Sequence, residues 1–116
     1  MINMLHQMKL QQEPFNRIKN GIKILELRLY DEKRKEIKIG DIIEFSKLPE
    51  LIEKVSVRIT GLLIYKTFAE LIEDMPAKYL GYAESDKEYL KTSMYEIYTK
   101  EDEGKYGVLG IRIKLV

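Results

Sequence analysis

The stretch KVSVRITGLLIY, residues 54–65, restricts the fold more than any other in the chain. Val55, Val57 and Ile59 alternate with Ser56, Arg58 and Thr60. Residues two apart share one face of a strand, so this half reads as a strand buried on one side. Past Gly61 the pattern changes, because Leu62, Leu63 and Ile64 are consecutive and both faces turn apolar. A glycine at the changeover fits a bulge or sharp bend, and therefore a sheet that curls like a barrel.

Other segments supply its neighbours. MLHQMKLQ sets His6, Met8 and Leu10 against Gln7 and Lys9, a first strand. EPFNRIKNG predicts a short helix, with Pro14 in its first turn, Phe15 and Ile18 three apart, and Gly21 as its stop. NGIKILELRLYDEKR, residues 20–34, is expected as the second strand. IKIGDIIEF reads as strand, Gly-Asp turn, strand. TFAELIEDM pairs Thr67 with Glu70 as a capping box before an apolar stripe at Phe68, Leu71, Ile72 and Met75. SDKEYLKTSMYEIY repeats the device with Ser85 and Glu88, and TKEDEGKYG offers a further helical turn from Thr99. VLGIRIKLV alternates Ile111, Ile113 and Leu115 with Arg112 and Lys114, a final strand. The expected architecture is one α+β domain, residues 1–116, built on a bent antiparallel sheet or small barrel framed by helices.

Composition removes several function classes. There is no cysteine and only one histidine. Thiolate metal sites, disulfides, a Cys nucleophile and an ordinary zinc site are therefore not expected. No apolar run approaches the roughly 20 residues that span a bilayer, and the first ten residues lack the pattern of a secretory leader. A cytoplasmic location follows as the default. The 20 basic residues nearly balance the 19 acidic ones, for a net charge of +1. A nucleic-acid binder with that balance has to gather its cations on one face. No Gly-rich phosphate loop and no Ser-His-Asp set is present.

Residues 20–34 carry more charge than a structural strand needs. In a regular strand Glu26, Arg28 and Tyr30 share one face, and Lys23, Leu25, Leu27 and Leu29 the other. Lys23 reaches Glu26 only if the chain is still turning or bulged between Gly21 and Glu26. The three would then form a polar site at a strand entry beside a helix end. GIKILELR also matches the G-x-K-x-x-E-x-R signature of the ASCH (activating-signal-cointegrator homology) family, at Gly21, Lys23, Glu26 and Arg28. With RLYDEKRKEIKIGDIIEF, TFAELIEDMP and the closing GVLGI strand, the chain resembles that family from about His6 to its end.

The resemblance implies a PUA-like β-barrel with helices framing a cleft, and an RNA-related role. It places Lys23, Glu26 and Arg28 at the cleft and Tyr98 near it. RNA or a nucleotide is the expected partner, with no cofactor, no structural metal and no membrane. Arg28 suits phosphate or a guanine edge, and Glu26 an exocyclic amine. An RNA- or nucleoside-processing enzyme of the same fold is the alternative, with Lys23 and Glu26 as candidate catalytic residues. Family relatives include an amidohydrolase with K-x-x-T at this place. Here Glu26 stands in the Thr position, and a carboxylate does not replace a hydroxyl as acyl acceptor. A protein-interaction module is the second alternative.

The remaining features have plainer readings. Tyr95 and Tyr106 are expected to pack on the core, and His6 to be a packed or edge histidine. Lys33, Arg34, Lys35 and Lys38 are a candidate phosphate-backbone contact, but Asp31, Glu32 and Glu36 among them favour a solvated turn. Glu73–Asp74 and Glu101–Asp102–Glu103 look like helix surface. Arg58, Arg112 and Lys114 lie opposite the core positions of their strands. They make a cationic surface only if those strands are neighbours.

Overall fold

The computed structural model describes residues 3–116. Met1 and Ile2, part of the expected domain, lie outside the described residues. Five strands form one sheet: β1 (Leu5–Leu10), β2 (Leu25–Leu29), β3 (Ile42–Lys47), β4 (Lys54–Tyr65) and β5 (Val108–Leu115). Their order across the sheet is β1-β3-β4-β5-β2. Helix α1 (Gln12–Lys19) follows β1, and α2 (Phe68–Asp74), α3 (Lys87–Ser93) and α4 (Lys100–Tyr106) lie between β4 and β5.

The long strand behaves as its pattern requires. Its register against β5 slips between Ile59 and Gly61, a bulge that bends the strand. Before the bulge, Val57 and Ile59 pack into the core inside the curl, with Phe15 and Ile18 of α1, Ile43 and Phe45 of β3, and Ile111. After it, Leu62 packs on that core while Leu63 and Tyr65 pack on a second one. The second core lies on the other face, where Phe68, Leu71 and Ile72 of α2 and Leu90 of α3 cover Leu25, Leu27 and Val108.

The sheet is not a wholly antiparallel barrel. β1 pairs parallel to β3, from Leu5 opposite Ile42 to Leu10 opposite Lys47, while the other neighbours are antiparallel. The chain between β1 and β3 includes α1 and β2, long enough for the crossover that a parallel pair needs. The result is an α+β curled half-barrel whose end strands are β1 and β2.

Three local expectations are corrected. Residues 20–34 form a strand only over Leu25–Leu29, because the chain first turns out of α1 and then enters a 3-10 turn at Arg34–Glu36. In IKIGDIIEF only the second arm is a strand, and Ile37 plugs the inner core instead. Ser85 lies within the 3-10 turn Glu84–Asp86, and α3 starts after it without a side-chain cap. Thr67 and Thr99 do cap α2 and α4, accepting from Glu70 N and Asp102 N at 3.1 Å each.

Two buried carboxylates tie distant segments together. Asp41 accepts from His6 Nε2 at 2.8 Å and from the backbone N–H groups of Met4 and Lys38 at 3.0 Å each. Burial pushes its pKa up, but these bonds prevail and hold it below the usual carboxylate value. Glu103 is buried rather than on the surface of α4. It accepts from Phe68 N at 2.8 Å, at the start of α2, and from the Tyr95 hydroxyl at 2.9 Å.

Candidate functional site

The site starts where α1 ends. Gly21 adopts φ +74°, a conformation that costs a residue without a side chain little. Gly21 N donates to Ile18 O at 3.0 Å and Ile22 N to Arg17 O at 2.8 Å, a Schellman closure of the helix. Lys23 N also donates to Arg17 O at 3.0 Å, so the chain is still turning at Lys23. Ile24 N then donates to Tyr79 O at 2.8 Å, and β2 begins at Leu25.

The turn carries Lys23 round to Glu26. Lys23 Nζ donates to Glu26 Oε1 at 2.7 Å, and Arg28 Nε donates to Glu26 Oε2 at 2.8 Å. Glu26 is 3% exposed. Burial pushes its pKa up, but Lys23 and Arg28 outweigh burial and hold it below the usual carboxylate value. Burial alone would lower the pKa of Arg28, and the facing Glu26 carboxylate raises it instead.

Arg28 also closes a gap. Its Nη2 donates to Lys9 O at 3.0 Å, across the opening between the two end strands. The next carbonyl of β1, Leu10 O, accepts from Leu48 N on the β3 side. Successive carbonyls of a strand point in opposite directions, so Lys9 O faces the free edge where Arg28 finds it. These bonds leave two of the three Lys23 donors and three of the five Arg28 donors without a protein partner among the described residues.

Those donors line a cavity of about 390 Å³. Its walls are largely apolar, with Leu10, Leu27, Leu80, Leu90, Met94 and Tyr98 among them. Tyr98 follows the 3-10 turn Met94–Glu96, and its ring stacks on Phe68 with centroids 5.1 Å apart. Burial raises the pKa of its phenol. Arg17 and Tyr82 also line the cavity, with the Arg17 guanidinium 4.0 Å from the Tyr82 ring centroid. A volume of this order, an apolar lining and a few convergent polar groups are the usual features of a small-ligand site.

The structure therefore gathers Lys23, Glu26, Arg28 and Tyr98 around one cavity. Tyr95 is engaged with Glu103 instead. The sequence reading missed Arg17, Tyr82 and the Lys9 carbonyl. Nothing local marks Arg17 or Tyr82, since they meet only through the packing of α1 against the 3-10 turn Ala77–Leu80 and its exit. Among the described residues no cluster of three or more metal-ligating side chains occurs, and no helix is long and apolar enough to cross a membrane.

A curled α+β half-barrel with a cationic cleft between its end strands fits the PUA-like class of domain. Residues 8–116 match the ASCH domain pattern, and the chain belongs to that family. It is similar to the crystal structure of hypothetical protein PH0355, with 38% identity and TM-score 0.86 over 97% of this chain and 100% of that one. It is also similar to the solution structure of protein PF0455 from Pyrococcus furiosus, with 36% identity and TM-score 0.74 over 97% and 98%. The crystal structure of ASCH from Zymomonas mobilis shares the fold at 9% identity and TM-score 0.64, over 95% of this chain and 66% of that one. A search of curated proteins gave no match.

Proposed function

We propose that this domain binds RNA or a nucleotide in the cleft between β1 and β2. The observation that carries this reading is the Lys23–Glu26–Arg28 set, where two cations share one buried carboxylate and keep unengaged N–H groups at the cavity. The set has a net positive charge, and a desolvated cation pair favours phosphate or carbonyl oxygens. The Tyr98 ring and the Arg17–Tyr82 pair provide flat surfaces for a base. Membership of a family regarded as RNA-related supports the same ligand class.

The enzymatic reading of the cleft has less behind it. Glu26 takes the place where a nucleophilic hydroxyl would stand. Its pKa is held down by two cations, away from the range that suits proton transfer near neutral pH. Ser93 also lines the cavity, but its hydroxyl donates to Leu90 O at 2.8 Å.

Lys23→Gln and Arg28→Lys each leave one cation or more beside Glu26, so both test binding with limited damage to the fold. Fluorescence anisotropy with a mononucleotide and with short single-stranded RNA is expected to show affinity falling about tenfold or more in each, a loss near 1.4 kcal/mol. Unchanged affinity in both variants, with wild-type binding intact, moves the ligand out of this cleft.

A further inference from the structure

The cations of β4 and β5 meet on one exposed face. Arg58 lies directly opposite Lys114 in the antiparallel ladder, and Arg112 shares their face two residues away from Lys114. All three are exposed. Side chains directly opposite on neighbouring strands have Cβ atoms about 4.5–5.5 Å apart, where like charges destabilise the pair. A sheet surface chosen only for solubility would alternate the signs. Here Glu44 is the one carboxylate on the exposed strand faces among the described residues. It lies on β3 and already accepts from Gln7 and Lys54, at 3.2 and 3.3 Å. No ion pair engages Arg58, Arg112 or Lys114 among the described residues. Arg58 instead donates to Gly40 O at 3.1 Å.

The bulge gives Arg112 its seat. Gly61 lies opposite Arg112, and a Cβ built there would stand 3.3–3.5 Å from the Arg112 Cδ, Cβ and Cγ atoms. The stem lies across the glycine, and the guanidinium sits 5.2 Å from the Tyr79 ring centroid. The same 3-10 turn leads into the cleft, whose lining includes Leu80 and Tyr82. Tyr79, under Arg112, is the chain neighbour of Leu80 in the cavity wall, so the cationic face and the cavity share this 3-10 turn. The whole chain has a net charge of +1, so this concentration of cations is local.

We infer that this outer face of β4 and β5 holds the phosphate backbone of a single-stranded RNA whose terminal or looped-out nucleotide occupies the cleft. The ligand is then a polymer rather than a free nucleotide. The inference rests on the RNA reading of the cleft and extends it. The probes are a mononucleotide and an oligoribonucleotide of about ten residues, within the usual footprint of a single-strand site.

The triple variant Arg58→Gln/Arg112→Gln/Lys114→Gln is compared with Lys23→Gln by anisotropy across a salt series. Each phosphate neutralised on a single strand contributes about 0.7 to the log–log salt slope, so removing three cations lowers its magnitude by roughly 2. The triple variant is expected to bind the oligomer about tenfold more weakly at low salt and to keep wild-type affinity for the mononucleotide. Wild-type oligomer affinity and slope in the triple variant overturn the inference and leave the cleft reading intact if Lys23→Gln still loses both probes. An equal loss of both probes in the triple variant also overturns it, because the face would then act through the fold. If Lys23→Gln binds both probes normally while the triple variant loses only the oligomer, the cleft reading fails, and the inference is overturned with it because no nucleotide of the bound strand then occupies the cleft. Absence of RNA binding by the wild type overturns both.

Discussion

Glu26 is charged because of its neighbours. A carboxylate 3% exposed is costly unless paired, and Lys23 and Arg28 pair it from both sides. Removing its charge leaves two cations facing each other in a poorly solvated cavity. Glu26→Gln is therefore expected to lose about 3–5 kcal/mol of stability at neutral pH, read by denaturant unfolding. The pH dependence has a definite sign. The folded pKa of Glu26 is lowered from its ordinary value of 4.5, so its contribution is complete above about pH 4.5 and is lost as the pH falls through the folded value. Wild-type stability should drop faster than that of Glu26→Gln below pH 4.5. Parallel curves would mean that the carboxylate contributes nothing differential. At this scale the motif residues were legible, because residue type and spacing carry them. The partners of Asp41 were not. His6 and Met4 approach it only once β1 lies beside β3, and the alternation of His6 with Met8 and Leu10 says nothing of a carboxylate 35 residues away.

The helices depend on their ends more than on their length. α2 and α4 have seven residues each, too short to persist in water without caps and packing. Thr67 serves Glu70 N, while Glu103 of α4 serves Phe68 N, so α4 helps to start α2. Thr67→Ala is expected to cost about 1 kcal/mol. Glu103→Ala strands both Phe68 N and the Tyr95 hydroxyl and is expected to cost more, about 1–3 kcal/mol. Thermal melts of the two variants rank them, and a smaller loss for Glu103→Ala would contradict the assignment. The Thr caps were readable because the capping box is a local pattern. The role of Glu103 was hidden, because an acidic run at a helix start looks the same whether it meets solvent or a neighbouring N-terminus. Alternation overstates β2 for a related reason. It continues through Gly21 and Lys23, and only the closure of α1 shows that those residues turn.

The two cores are back to back on shared strands. Leu62 and Leu63 of β4 are adjacent in sequence and pack on opposite faces. Loss of either core removes support from the other. The chain is expected to unfold in one transition, with tyrosine near-ultraviolet and backbone far-ultraviolet signals coinciding. Separate midpoints would show that the cores part independently. The curl itself was legible in residues 54–65, since the strand packs on one core before Gly61 and on both cores after it, with Ile64 left exposed. The parallel pairing of β1 was not, because neither pattern nor turn chemistry names a distant strand's partner. The Arg28 bond to Lys9 O marks the seam of this half-barrel. In a closed barrel a ladder of amides would fix the distance between the last two strands. Here a side chain spans it, and side chains rotate. The rims of β1 and β2 can separate or approach without breaking a strand pair. On the reading proposed above, a ligand that recruits the Arg28 donors would draw on the same side chain that spans the rims.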